Sequence, residues 1–185
     1  IAWSKASQGN QKDSFKFLKK IPKSYHHLKK IQNIFLQCYF DASETQKLFR
    51  ELIQDDTYNF SRYNFFLVNY LLSKDKTIEA KKIIQNSRKE HSSNLLIKQT
   101  EDFFNGESRK IKNFFNCENP KDPLAEFFYV IANLHASETD YQLSNFYLKI
   151  SFFLNDKFLT NKALLAENFF YQKRNELSID IYHSL

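Results

Sequence analysis

The last third of this 185-residue sequence repeats itself with a period of 34 residues, and this repeat restricts the possible folds more than any other feature. Five pairs of positions match across the two copies: Ile131 with Leu165, Ala132 with Ala166, His135 with Phe169, Ser144 with Ser178, and Leu148 with Tyr182. Repeats of roughly 20 to 50 residues are typical of proteins in which small units stack in a row, because one unit cannot bury its apolar side alone. The repeat therefore favours an array of similar units over a fold with one closed core.

Apolar residues recur three and four positions apart along most of the chain, which is the spacing of one helix face. Polar breaks separate these stripes, and no segment alternates apolar and polar residues for the length of a strand. We therefore predict an all-α fold of about twelve helices joined by loops of ~2–6 residues. One short helix is expected to carry Ile111, Phe114 and Phe115, and residues 119–123 are predicted to be a loop.

Small residues in the repeat mark where the two helices of one unit are expected to cross. Ala132 is expected to face Ser144, and Ala166 to face Ser178. A side chain larger than Ser at these positions would push the two helix axes beyond their usual separation of about 8–10 Å. Large residues at neighbouring positions then fill the space between one helix pair and the next, so we expect the pairs to stack.

This alternation of large and small residues resembles the tetratricopeptide repeat (TPR), a helix–turn–helix unit of about 34 residues. The resemblance extends to Leu67, Leu71, Ala80 and Ile84 in the middle of the chain. It implies a TPR-like α-solenoid, a right-handed superhelix of tandem helix–turn–helix repeats whose inner wall is formed by the first helix of each pair. The order of features is also similar to TPR proteins of proteobacteria, which implies a bacterial origin.

The resemblance predicts one repeat array over residues 1–185. Its approximate units are residues 1–22, 23–57, 58–92, 93–122, 123–156 and 157–185. We expect this array to be a piece of a longer chain, since the sequence starts without Met in a segment typical of a helix interior.

The composition excludes several other classes of protein. With only 2 Gly and 3 Pro, the chain is neither collagen-like nor a flexible linker, and it lacks the glycines that α/β folds use in phosphate loops. No apolar run approaches the ~20 residues of a membrane-spanning helix, so we expect a soluble protein of the cytoplasm or periplasm. Cys38 and Cys117 form no CxxC motif, and we expect both to be buried free thiols.

Residues that would support catalysis or bind a metal do not cluster in the sequence. There is no GxGxxG, P-loop or HExxH motif, and apart from His26-His27 the histidines are far apart. We therefore predict that the chain is not an enzyme and has no catalytic residues, no cofactor and no metal site.

Protein–protein interaction in the concave groove of the array is the function that the resemblance implies. Candidate contacts are the residues of the first helices that point away from the second helix of the pair: Arg62, Phe65, Asn69, Tyr129, Asn133, Glu167, Phe170 and Tyr171. Amides of this kind can hydrogen-bond the backbone of a bound peptide, and the rings supply apolar contact. The identity of the partner protein or peptide and the oligomeric state stay open.

The excess of positive charge leaves an alternative. Lys and Arg number 27 against 21 Asp and Glu, a net charge of +6, and basic runs occur at Lys19-Lys20 and Lys29-Lys30. A basic scaffold for nucleic acid or an anionic membrane surface is therefore the alternative function, although we disfavour nucleic acid because Lys is common on solvated helix faces. A further alternative is an accessory helical domain of a larger enzyme.

Overall fold

The computed structural model describes residues 1–90, 95–104 and 114–185. Of these residues, 75% are helical and none lies in a strand, which confirms the all-α prediction for this part of the chain. The eleven α-helices found there are α1 Ala2–Ser7, α2 Gln11–Lys19, α3 His26–Tyr39, α4 Thr45–Ile53, α5 Tyr63–Ser73, α6 Thr77–Glu90, α7 Leu95–Phe104, α8 Lys121–Ser137, α9 Tyr141–Leu154, α10 Leu159–Tyr171 and α11 Asn175–His183. A 3₁₀ turn, Lys23–Tyr25, precedes α3.

Five turns between consecutive helices share one hydrogen-bond geometry. In each turn a backbone N–H donates to the carbonyl oxygen five residues earlier at 2.9 Å; the donors are Asn10, Ala42, Lys76, Asp140 and Arg174. The residue before each donor has a φ between 51° and 74°, as in helix endings of the Schellman type. The donors at positions 42 and 76, and those at 140 and 174, are 34 residues apart, so these turns repeat with the period of the sequence.

The chain divides into two compact units, Ile1–Pro120 and Lys121–Leu185. The first unit has an aromatic core at which α3 and α5 meet the segment after α7. The rings of Phe35 and Phe66 lie 5.2 Å apart, and Phe115 lies 5.4 Å from Phe35 and 4.8 Å from Phe66. All three side chains are fully buried, so Phe115 belongs to this core rather than to an exposed connection.

Cys38 and Cys117 are buried as expected, but the prediction that they are free thiols is wrong. Cys38 at the end of α3 and Cys117 form a disulfide, with their Cα atoms 5.6 Å apart and 79 positions between them in the sequence. The physical reason is the packing of Phe115 against both Phe35 and Phe66, which brings the segment carrying Cys117 onto α3.

Two local predictions near this segment also differ from the structure. Phe114 and Phe115 are not helical, while Ile111 lies outside the described residues. Helix α8 begins at Lys121, inside the stretch predicted as a loop, and contains Pro123 in its first turn. Proline is tolerated there because the first N–H groups of a helix have no partner within the helix.

Small residues lie at the helix contacts of the second unit, and one of these contacts, Ala166 with Ser178, is the one that the repeat predicts. Between α8 and α9, the Ser151 hydroxyl donates to the carbonyl oxygen of Ala125 at 2.6 Å. Between α10 and α11, the Ser178 hydroxyl donates to the carbonyl oxygen of Ala166 at 2.8 Å. Ala132 and Ser144 are fully buried, and all of these positions have side chains short enough to let the helix backbones approach closely.

Two asparagines on α10 hold this helix against α9. The Asn161 amide donates to the hydroxyl oxygen of Ser151 at 2.8 Å, and the Asn168 amide donates to that of Ser144, also at 2.8 Å. Leu164, between the two asparagines, packs with Ala132 and Leu148. The two asparagines are about two helical turns apart on α10, and the two serines are equally far apart on α9. Both hydrogen bonds can therefore form at the same time. We call this arrangement the Asn–Ser clasp.

Among the described helices, none combines the length and the apolar composition that a membrane-spanning segment needs.

Candidate functional site

An apolar groove lies between α9 and α11 in the second unit. Both helices pack against α10, which forms its floor, and the space between them is about 670 Å³. The walls come mainly from aromatic and aliphatic side chains: Leu148, Phe152, Phe153, Leu165 and Ile181. We call this feature the α9–α11 groove. Its volume lies within the ~300–1,000 Å³ that is usual for binding clefts.

The groove exposes apolar surface to solvent. Phe153 is 84% exposed and Phe152 is also exposed, although both line the groove. Ten of the fourteen exposed large apolar side chains in the described residues lie in the second unit, which is about a third of the chain. Contiguous exposed apolar surface of this kind marks interaction sites more often than an isolated exposed Leu does.

Charged groups stand at the rim of the groove. Lys149, Asp156 and Lys162 line it beside the apolar walls. The ammonium of Lys162 donates to the carbonyl oxygen of Ser184 at 3.3 Å, and this contact holds the end of the α11 segment beside α10. An apolar centre with a polar rim is the usual arrangement of a protein interface.

Two of the three residues predicted to line a groove in the first unit, Phe65 and Asn69, are buried inside that unit. Phe65 is fully buried, and the Asn69 side chain is buried with its amide donating to the Phe65 carbonyl oxygen at 2.8 Å. Arg62 is half-buried, with its guanidinium 5.9 Å from the centre of the Phe66 ring. The Asn69 donor is therefore engaged inside its own helix.

The predicted contacts of the second unit are more accessible. Asn133 and Glu167 are exposed, and Tyr129 is half-buried against the cluster of Ala132 and Leu148. Phe170 and Tyr171 are 59% and 56% exposed, with ring centroids 5.7 Å apart. These last two residues form an exposed aromatic pair, but none of the predicted contacts lines the α9–α11 groove.

Sequence reasoning missed the groove because it placed the binding surface on first helices only. Phe152 and Phe153 are adjacent on a second helix, and one helix face cannot bury two adjacent rings. This doublet is the signal that would have pointed to the groove.

A titratable cluster lies at the start of α3 in the first unit. Lys30 forms an ion pair with Asp55 at 2.8 Å, and this hydrogen bond, with further bonds from Thr57, lowers the pKa of Asp55 to about 2. The His27 ring lies 3.6 Å from His26 and 4.0 Å from Tyr58 between ring centroids. Burial, followed by the charge of His26, lowers the pKa of His27.

In the described part of the chain, no group of three or more His, Cys, Asp or Glu side chains is placed to hold a metal ion. Comparison with protein-family models, curated proteins and solved structures finds no match for this sequence. The interpretation of the groove therefore rests on its own geometry and chemistry.

Proposed function

We propose that the chain is a TPR-like repeat scaffold that binds a partner protein, and that the α9–α11 groove is its main binding surface. The architectural part of this proposal is supported by the 34-residue period, the five similar turns and the small residues at the helix crossings. The observation that carries the function is the exposure of Phe152 and Phe153 at an open groove.

Burying these rings provides the driving force for association. Fully burying one Phe side chain contributes about 1.5–3 kcal/mol, and aromatic residues dominate the energetics of many interfaces. Lys149 and Lys162 on the rim favour a partner segment with apolar residues in its centre and an acidic residue at its edge. The exposed pair Phe170 and Tyr171 is a second contact surface for the same kind of partner.

The disulfide indicates the cellular compartment in which such a scaffold would act. Disulfides persist in oxidising compartments and are rare in the cytosol. Of the two compartments considered from the sequence, the Cys38–Cys117 bond favours the periplasm.

The groove is tested by comparing two Phe→Asp variants of α9. Proteins retained by the immobilised wild-type chain are identified by mass spectrometry, and the affinity of the most abundant one is measured by calorimetry. Phe153→Asp is expected to weaken that binding by about 2 kcal/mol, roughly 30-fold, because it places a charge in the apolar groove.

Phe146→Asp is the matched control. Phe146 is also exposed on α9 but does not line the groove, so this substitution is expected to leave the affinity within about twofold of wild type. Equal losses in both variants, or unchanged binding by Phe153→Asp, would contradict the assignment of the groove.

A further inference from the structure

Positive charge is concentrated in the first unit and is strongest at its second and third helices. Residues 1–120 contain 21 Lys and Arg against 13 Asp and Glu, whereas residues 121–185 contain 6 against 8. Residues 14–40 contain six Lys and two His but no Asp or Glu. Such a stretch creates a positive local potential that attracts anions.

A pocket of about 360 Å³ lies within this stretch, between α2 and α3. Its floor is apolar, formed by Phe15 and Leu18. Lys19, His26 and Lys29 line its edge, together with Lys30 and Asn33. The pocket therefore combines an apolar floor with several cationic groups.

Two of the three lysines that line the pocket form no ion pair within the described part of the chain. The Asp55 carboxylate binds Lys30, but neither Lys19 nor Lys29 forms an ion pair with a described residue. The Lys29 ammonium donates to the carbonyl oxygen of Lys19 at 3.0 Å, a neutral acceptor that leaves its charge intact. This hydrogen bond also holds Lys29 on α3 close to Lys19 on α2, at the edge of the pocket.

The remaining lining groups suit a ring better than a simple inorganic ion. Phe15 is half-buried and offers part of its ring to the pocket, and the side-chain amide of Asn33 makes no hydrogen bond with the described residues. A flat heterocycle can lie on the aromatic wall and hydrogen-bond the amide, while its phosphate meets the lysines.

We propose that the pocket between α2 and α3 binds a nucleotide, with the phosphate held by Lys19, His26 and Lys29 and the base lying on Phe15 and Leu18. This site is separate from the α9–α11 groove and independent of the proposed function. Its ligand is a free mononucleotide or one residue of a single-stranded nucleic acid, since both present the same phosphate and ring.

The proposal is tested by calorimetry with AMP, UMP and adenosine. At least one of the two mononucleotides is expected to bind with a dissociation constant on the order of 1 mM or below at low salt. Adenosine, which lacks the phosphate, is expected to bind at least about tenfold more weakly than AMP, because charge-assisted hydrogen bonds to the phosphate are lost. A 12-nucleotide single strand distinguishes the sources: much tighter binding than the mononucleotide indicates a nucleic-acid strand, and similar binding indicates a free nucleotide.

Two variants of equal net charge locate the site. Lys19→Gln with Lys29→Gln is expected to weaken nucleotide binding by about 100-fold, or tenfold for each lysine. Lys81→Gln with Lys82→Gln on α6 removes the same charge elsewhere in the first unit and is expected to change the affinity less than about twofold. Circular dichroism shows whether each variant is folded.

Backbone amide NMR of the wild type gives a readout that does not depend on the variants. Nucleotide is expected to shift amide signals in residues 15–33. The proposal is overturned if neither mononucleotide binds, if adenosine binds as well as AMP, if both double variants lose equal affinity, or if the shifted signals lie elsewhere.

Discussion

At the scale of single residues, His27 is the least well satisfied side chain of the first unit. Both of its ring nitrogens are buried and neither has a hydrogen-bond partner in the described residues. A neutral imidazole still carries one N–H donor, and leaving a buried donor unpaired costs free energy. The ring instead packs against the rings of His26, Tyr58 and Phe60, so an aromatic residue without ring nitrogens suits this position.

His27→Phe is therefore expected to raise the free energy of unfolding by about 1 kcal/mol at pH 7.5. The gain is expected to be larger at pH 5. The folded-state pKa of His27 lies below its ordinary value of 6.5, so the unfolded chain binds the extra proton as the pH falls below 6.5. Protonation of His27 in the unfolded chain therefore lowers the free energy of unfolding of the wild type below pH 6.5. The variant has no histidine at this position and does not lose this stability.

Urea denaturation of both proteins at the two pH values measures this difference. His183→Phe is the control, since this histidine is exposed at the end of α11. A loss of stability in His27→Phe at pH 7.5, or a gain that is the same at both pH values, would contradict this account of His27.

At the scale of helices, the Asn–Ser clasp joins the two helix pairs of the second unit. Asn168 binds Ser144 and also Asn145, whose side-chain oxygen accepts at 2.7 Å. Asn161 binds Ser151 two turns away. Because the clasp is buried, removing one partner leaves polar atoms without hydrogen bonds in a place that water does not reach.

Asn168→Ala is expected to lower the free energy of unfolding by about 1–3 kcal/mol. The exposed Asn133 on α8 provides the same substitution outside the clasp, and Asn133→Ala is expected to change stability by less than about 0.5 kcal/mol. Chemical denaturation measures both. If Asn168→Ala and Asn133→Ala change the free energy of unfolding equally, the Asn–Ser clasp does not stabilise the second unit.

Much of the helical framework could be predicted from the sequence because it depends on local spacing. Apolar stripes predicted helices at α8, α9, α10 and α11, and the small residues Ala166 and Ser178 meet where the 34-residue period placed a crossing. Residues a few positions apart determine where helices form, and a fixed repeat marks where two helices approach closely. Both features can therefore be read from a single sequence.

Features that depend on distant partners could not be predicted in this way. Cys117 reaches Cys38 because Phe115 is buried among rings from other helices, and no local pattern signals this. Asn161 and Asn168 are polar residues at buried positions, which a pattern of apolar residues assigns to the surface. The α9–α11 groove depends on the position of α11 against α10. The spacing of apolar residues in the sequence does not specify this position.

At the scale of the whole molecule, the two units differ in the chemistry that they expose. The first carries the excess of positive charge and the disulfide, and its predicted groove residues Phe65 and Asn69 are buried. The second carries most of the exposed apolar side chains and the α9–α11 groove. The two units therefore expose two kinds of surface, one rich in positive charge and one rich in apolar side chains.

The claim that underlies this account is that short side chains recur every 34 residues because helix pairs cross there at close range. The most direct test is the free energy of unfolding of Ala132→Leu and Ala166→Leu, measured by urea denaturation beside Ala163→Leu, which lies on the same helix as Ala166 but is only half-buried. We expect losses of about 1–3 kcal/mol for both crossing variants and less than about 0.5 kcal/mol for Ala163→Leu. If the crossing variants are as stable as the wild type, close packing is not the origin of the period, and the account of the fold given above is wrong.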